Sequence, residues 1–169
     1  MTTLPVPVTF ALPNDQWRPV DPASIGIVNA AFAAVREVDD DAGFTPVLTI
    51  SGGVREDSLT LEEIADESLG VLASQGEDVE LLQRQSHGDA AAPGLTQLMG
   101  CLAVVDGQRY DIRQGQAIAA YVDVSDPSLR AVQLYTVTCT YAQFPVVGRE
   151  FHAFMETLRP VPATTADGG

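Results

Sequence analysis

The first helical pattern of apolar and polar positions begins at Thr60. Apolar residues recur three and four positions apart, the spacing of one helix face; they are Leu61, Ile64, Ala65, Leu69 and Leu72. The run opens on Thr60-Leu61-Glu62-Glu63, in which the Thr60 hydroxyl and the Glu63 carboxylate can cap each other's backbone amides. Gly76 is a typical residue to end such a helix. The pattern predicts a helix over about residues 60–75.

A second helical pattern lies near the end of the chain. Its apolar positions form a narrow, aromatic-rich stripe; they are Phe144, Val147, Phe151, Phe154 and Leu158. Pro145 stands near its start, and Pro160 ends the run. This predicts a helix over about residues 144–158 that lies flat on a sheet.

Most of the remaining chain is typical of β-strands. Runs rich in Val, Ile, Thr and Tyr are bounded by turn residues, and they cover residues 8–12, 44–54, 79–85, 95–105, 108–122 and 130–141. Asp106-Gly107 separates two of these runs and predicts a two-residue hairpin turn. The pattern therefore indicates an α+β protein with a mostly antiparallel sheet of about six or seven strands.

The segment 27–38 can be interpreted in two ways. It is rich in alanine, and intrinsic propensity favours a helix. However, the turn-like run Asp39-Asp40-Asp41-Ala42-Gly43 follows it and leads into the strand predicted over 44–54. A hairpin closed by this acidic turn is the alternative, and propensity alone does not decide between the two.

Composition narrows the class of protein. The 169 residues suit one domain, and the formal net charge is −14, with 9 basic against 23 acidic side chains. Such a surface repels phosphate backbones and anionic headgroups, so we expect neither nucleic acid nor a membrane as a partner. The first residues lack the pattern of a signal peptide, and no apolar run is long enough to span a bilayer. We therefore expect a cytoplasmic protein with reduced cysteines.

Short motifs along the chain occur in an order that resembles the PsbP-like superfamily, in particular the actinobacterial LpqN-type branch. These motifs are Phe10-Ala11-Leu12-Pro13, Trp17-Arg18-Pro19-Val20, Ala31-Phe32-Ala33-Ala34-Val35-Arg36, Gly43-Phe44-Thr45-Pro46, Ser58-Leu59-Thr60-Leu61-Glu62-Glu63-Ile64-Ala65, Thr138-Cys139, Gln143-Phe144, Phe151-His152-Ala153-Phe154 and Leu158-Arg159-Pro160. They extend over about residues 8–160. Their order, more than any single motif, carries the resemblance.

The resemblance implies an α/β/α sandwich and makes the alanine-rich segment a strand. It implies one domain over residues 5–159, and the Pro-containing residues 160–169 are predicted to form a disordered tail. Such proteins bind other proteins, and their pattern contains no catalytic motif. The resemblance therefore implies a non-enzymatic protein-binding module, an adaptor or accessory factor in an actinobacterial secretion or signalling pathway. LpqN-type relatives are usually envelope lipoproteins, whereas no signal peptide or lipidation cysteine is recognisable here.

The residues that could carry chemistry are few. His87 and His152 are the only histidines and Cys101 and Cys139 the only cysteines, and no pair has metal-ligand spacing. We expect no metal, no cofactor and no catalytic residue. The two thiols are interpreted as small buried apolar groups, with a disulfide as the alternative. The acidic run 39–43 is interpreted as a turn, since it lacks the spacing of a calcium loop.

Four residues are candidates for contact with a protein partner: Trp17, Arg18, Tyr135 and Tyr141. For Trp17, an anchor that packs a hairpin onto the sheet is the alternative. A carrier of a small apolar ligand is a second hypothesis, with a pocket bracketed by Phe32, Phe44, Tyr135 and Phe151. An unrecognised enzyme is a third, and a homodimer is the default assembly.

Overall fold

The fold was obtained as a computed structural model that describes residues 5–38, 43–55, 59–88, 93–122 and 129–160. Two α-helices are present, α1 (Leu61–Gln75) and α2 (Phe144–Thr157), together with a short 3₁₀ helix (Pro22–Ile25). The strands are β1 (Val8–Thr9), β2 (Trp17–Val20), β3 (Phe32–Arg36), β4 (Val47–Arg55), β5 (Glu77–Gly88), β6 (Pro93–Val105), β7 (Gln108–Val122), β8 (Arg130–Thr140) and β9 (Arg159–Pro160). No helix within these ranges is long and apolar enough to cross a membrane.

Seven strands form one sheet in the order β2-β3-β4-β8-β7-β6-β5, and every neighbouring pair is antiparallel. The turn Asp106-Gly107 joins β6 and β7 with positive φ at both residues, 52° and 78°, as a type I′ hairpin requires. The predicted α+β class with a mostly antiparallel sheet of six or seven strands is confirmed.

Both predicted helices are confirmed, and so is the cap of α1. The Thr60 side chain accepts from the Glu63 amide and the Glu63 carboxylate accepts from the Thr60 amide, each at 3.1 Å. Gly76 follows the helix, but its φ of −146° is extended backbone. A glycine is needed there because a Cβ would lie 2.8 Å from the Leu102 carbonyl oxygen and 2.9 Å from Cys101 Sγ.

The helices lie on opposite faces of the sheet, which gives the predicted α/β/α sandwich. Side chains of a strand alternate between faces, and β8 shows the arrangement: Val132 packs in a cluster with α1, whereas Val137 and Cys139 pack in a cluster with α2. Helix α1 covers β5, β6 and β7, and α2 covers β8 and strands on its β4 side. Each helix therefore leaves the other half of its face uncovered.

The alanine-rich segment forms strand β3, against its helical propensity. Ala33 and Ala34 are fully buried, and β3 pairs with both β2 and β4. Sheet packing thus overrides the intrinsic preference. Of the acidic run 39–43, predicted to form a turn, residues 39–42 lie outside the described residues, so the turn stays a prediction.

The chain termini depart from the predicted boundaries. The strand predicted over 8–12 is only Val8–Thr9, and it pairs with β9, so that Val8 lies opposite Pro160. Pro160 was predicted to begin the tail, but it belongs to this small sheet. The tail from 161 onward lies outside the described residues, and its disorder stays a prediction.

Candidate functional site

The uncovered half of the sheet beside α2 forms an apolar groove with a volume of about 510 Å³. We call it the α2-side groove. Strands β6 and β7 supply its floor and α2 supplies one wall; these residues are Leu98, Gly115, Ala117, Phe144, Phe151 and Met155. The volume lies in the range of small-molecule sites, and the lining suits an apolar group.

The aromatic stripe of α2 is divided between the core and this groove. Val147 and Phe154 are buried between the helix and the sheet. Phe144 and Phe151 are only partly buried and turn toward the groove. Gly148 permits this because a Cβ there would lie 3.1 Å from the Phe144 ring. A stripe that looks uniform in sequence thus both anchors the helix and lines a surface.

Both histidines of the chain lie on the rim of this groove. His87 comes from β5, and its ring lies against Gly94, where a Cβ would be 2.4 Å away. His152 comes from α2, and its Nε2 is 2.7 Å from Glu156 Oε1. No Asp, Glu or Arg is among the described residues that line the groove. An acidic protein therefore presents here an apolar surface edged by two imidazoles.

Few groups among the described residues of the lining could act as a nucleophile beside the imidazoles. Thr96 is the hydroxyl in the lining, and the two thiols lie elsewhere. Cys101 and Cys139 are free and buried on opposite faces of the sheet, which confirms the interpretation as buried apolar groups. Burial raises the pKa of the Cys139 thiol to about 12 and raises that of Cys101. In the parts of the chain described, no three His, Cys, Asp or Glu side chains are arranged so that they could hold a metal ion.

Two of the four candidate partner-binding residues, Trp17 and Tyr135, are buried. Trp17 is 3% exposed and its indole N–H donates to Glu150 Oε1 at 2.9 Å, as expected of the alternative, a packing anchor. Tyr135 is 2% exposed, and its hydroxyl accepts from Gln133 Nε2 at 2.7 Å. Burial raises the pKa of Tyr135 to about 12. Alternation along each strand turns these side chains to the covered face.

The other two candidates remain accessible. Arg18 is exposed on the edge strand β2. Tyr141 is 62% exposed, and the Arg113 guanidinium lies 4.8 Å above its ring centroid. Arg113 is two residues from Gly115 on β7, so both face the same side of the sheet. Because Gly115 lines the α2-side groove and Arg113 contacts Tyr141, Tyr141 lies on the side of the sheet that carries this groove.

Of the four aromatic residues predicted to bracket one pocket, Phe32, Tyr135 and Phe151 pack in one cluster with α2, whereas Phe44 lies on the other face of the sheet. Phe151 alone of these lines the α2-side groove. Phe32 packs edge-on against Phe10, and Phe44 packs against Tyr110 in the cluster on the other face. The sequence did not point to Leu98, His87 and His152 as neighbours, because the pairing of β5 with β6 and the docking of α2 bring them to one surface.

A polar network fixes the wall of the groove. Glu150 of α2 lies 2.6 Å from Arg36 Nε of β3, and it also accepts from Trp17 and from Asn14 Nδ2 at 2.8 Å. The hydrogen bond from Arg36, followed by those from Trp17 and Asn14, lowers the pKa of Glu150 to about 2 despite partial burial. This charge-assisted network attaches α2 to the β2–β3 end of the sheet.

No family model matches the chain, and no curated protein is matched. Solved structures show the fold. LpqN of Mycobacterium tuberculosis, a protein involved in cell envelope biogenesis, matches with a TM-score of 0.58 at 13% identity over 94% of this chain and 86% of that chain. The cyanobacterial PsbP of Synechocystis matches with a TM-score of 0.56 at 8% identity over 87% and 83%. PA94 of Pseudomonas aeruginosa, of unknown function, matches with a TM-score of 0.56 at 17% identity over 78% and 83%. The chain therefore has the PsbP-like fold, and the resemblance to LpqN inferred from its motifs is confirmed in three dimensions.

Proposed function

We propose that this protein is a non-enzymatic binding module whose α2-side groove receives an apolar segment of a partner protein. The observation that supports this most is the groove itself. There, Phe144, Phe151 and Met155 of α2 are only partly buried, next to the part of β6 and β7 that α2 does not cover. Aromatic residues and methionine are enriched at the centres of protein interfaces. Exposed Tyr141 on the same face of the sheet, and Arg18 at its edge, remain candidate contacts.

The negative charge of the protein indicates which side chains a partner segment carries beside its apolar anchor. The chain carries −14, yet the described residues that line the groove include no carboxylate. A segment with an apolar anchor flanked by basic side chains would place the anchor in the groove and the cations against the acidic surroundings. Such complementarity accelerates association and weakens with added salt. As the role of the module we propose an adaptor or accessory factor, an idea consistent with its structural likeness to a protein of cell envelope biogenesis.

The test begins with a photo-crosslinking amino acid at Gln83, on the rim of the groove. A protein captured there in cells is then purified, and its dissociation constant is measured against two matched variants. Leu98→Glu places a charge on the groove floor, whereas Val104→Glu places the same charge at an exposed site on the same strand. We expect Leu98→Glu to weaken binding at least roughly tenfold, the loss of about 1.4 kcal/mol, and Val104→Glu to leave it unchanged.

Two results would contradict the proposal. One is that position 83 crosslinks to no defined protein; the other is that the purified partner binds wild type and Leu98→Glu equally well. Far-UV circular dichroism of each variant shows whether it is folded, and Met155→Glu supplies a second charge in the same groove.

A small apolar ligand is the second candidate for this groove, because about 510 Å³ is enough for one. Titration with the neutral dye N-phenyl-1-naphthylamine distinguishes a carrier of small ligands from a protein-binding groove. A carrier would bind one dye molecule saturably and lose it in Leu98→Glu. A protein-binding groove would give no saturable dye fluorescence.

We also propose a cytoplasmic location. Both cysteines are free and buried, a state suited to a reducing compartment, and this is the structural support for it.

A further inference from the structure

A second groove lies on the other face of the sheet, between α1 and the half that α1 leaves uncovered. We call it the α1-side groove; its volume is about 410 Å³. Val47 lines its floor together with hydroxyl and amide side chains from β4, β7 and β8: Thr49, Gln114, Gln116, Thr136 and Thr138. None of the described residues lining it is ionisable, although the protein as a whole carries −14.

A row of polar side chains crosses the sheet and ends in this groove. Arg84, Gln97, Gln116 and Thr136 lie at directly opposed positions on β5, β6, β7 and β8. Arg84 Nη2 donates to Gln97 Oε1 at 2.8 Å. Gln97 Nε2 donates to Gln116 Oε1 at 2.9 Å, and Gln116 Nε2 donates to Thr136 Oγ1 at 3.2 Å. Every hydrogen bond in the row therefore points the same way, toward the groove.

This direction determines what the groove presents. A threonine hydroxyl that accepts a hydrogen bond keeps its own hydrogen to donate, and Thr136 donates to no other group in the described parts of the chain. Two residues further along β8, on the same face, the Thr138 hydroxyl accepts a hydrogen bond from Gln114 Nε2 at 3.0 Å. Its own hydrogen is likewise left to donate. Two residues along a strand span about 7 Å. The groove thus offers two hydroxyl donors at about that separation.

We propose that the α1-side groove binds a neutral carbohydrate. Two donors about 7 Å apart fit acceptor oxygens on a mono- or disaccharide, and Thr49 supplies a further hydroxyl. The apolar wall formed by Phe44, Val71 and Leu72 fits the C–H faces of a sugar ring. An anionic ligand is disfavoured because the described residues lining the groove include no cation and the protein as a whole is acidic. The site is on the opposite face from the α2-side groove and does not depend on its function.

The test is a titration of the full chain with glucose and with maltose, followed by backbone amide chemical shifts. We expect saturable shifts at Thr49, Thr136 and Thr138. Thr138→Val keeps the shape and removes one donor, so it should weaken binding roughly threefold to tenfold. Thr96→Val makes the same change in the α2-side groove, on the other face, and should leave the dissociation constant unchanged.

Thr49→Val is a second variant, because the Thr49 side chain has no hydrogen-bond partner in the described part of the protein and its loss leaves no other group unsatisfied. It should also weaken sugar binding, and the charged analogue glucose 6-phosphate should bind less tightly than glucose. The proposal is overturned if neither sugar gives saturable shifts at the groove, if both variants bind like wild type, or if glucose 6-phosphate binds as well as glucose. None of these results bears on Leu98→Glu or the α2-side groove.

Discussion

Glu150 connects helix α2 to the short strands at one end of the sheet. Its carboxylate accepts hydrogen bonds from Arg36, Trp17 and Asn14, and its side chain is 14% exposed. The sequence drew attention to Trp17 as an aromatic residue beside Arg18. It could not show that the indole is held by a carboxylate far along the chain, since that contact depends on the docking of α2.

This network predicts a defined loss of stability in acid. The pKa of Glu150 is lowered from an ordinary 4.5 to about 2 in the folded protein. The folded state therefore binds fewer protons than the unfolded state between these values, so the contribution is complete above about pH 4.5 and disappears as the pH falls toward 2. It amounts to at most about 3 kcal/mol.

Glu150→Gln should lower the free energy of unfolding at neutral pH and make it less dependent on pH between 2 and 5, the interval set by the two pKa values. Urea denaturation at a series of pH values measures this. Glu156→Gln, at an exposed site on the same helix, is the matched control. If Glu150→Gln has the same pH dependence of the free energy of unfolding as the wild type, the Glu150 carboxylate does not make this contribution.

The buried thiols give a second expectation. The Cys139 pKa of about 12 leaves almost no thiolate at pH 8, and thiolate is the reactive form. Cys139 should therefore react with Ellman's reagent in the native protein only as fast as the chain opens, and fully after denaturation in urea. Mass spectrometry locates the labelled cysteine. Rapid labelling of Cys139 under native conditions would be incompatible with its burial.

Helix α1 and the β6–β7 hairpin are elements whose local sequence was sufficient to predict them. The capping box at Thr60 and the turn Asp106-Gly107 each satisfy backbone requirements within a few residues. Strand β3 shows the opposite case. Its alanines favour a helix, and only the neighbouring strands β2 and β4 make the extended form stable. The family resemblance, not the propensity, gave the correct assignment.

The two glycines of the α1 region provide a matched prediction. Gly76→Ala would place a Cβ 2.8 Å from the Leu102 carbonyl oxygen, so this close approach of backbone to β6 should be disrupted and the protein destabilised by about 1–3 kcal/mol. Gly70→Ala, within the helix and with nothing within 4 Å of the new Cβ, should instead stabilise it by about 0.5–1 kcal/mol. Thermal and urea unfolding of both variants measure the difference, and equal effects would refute the packing argument.

The arrangement of two helices on opposite halves of the two faces is a property of the whole molecule. It follows from the strand order β2-β3-β4-β8-β7-β6-β5, in which the late strand β8 enters beside β4. The α/β/α architecture was predictable through the resemblance. The grooves were not, because their residues come from strands whose mutual register a single sequence does not reveal. His87 and His152 are 65 positions apart in the chain, yet they edge one groove.

The central claim is that a partner protein occupies the α2-side groove. The chain has three methionines, of which Met155 lines this groove and Met99 is fully buried on the α1 side. Methyl-labelled methionine therefore reports on the two faces separately when the purified partner is added. We predict that the Met155 methyl resonance shifts and saturates with the partner while the Met99 resonance stays in place. Saturable binding that leaves the Met155 methyl resonance unchanged would contradict the account.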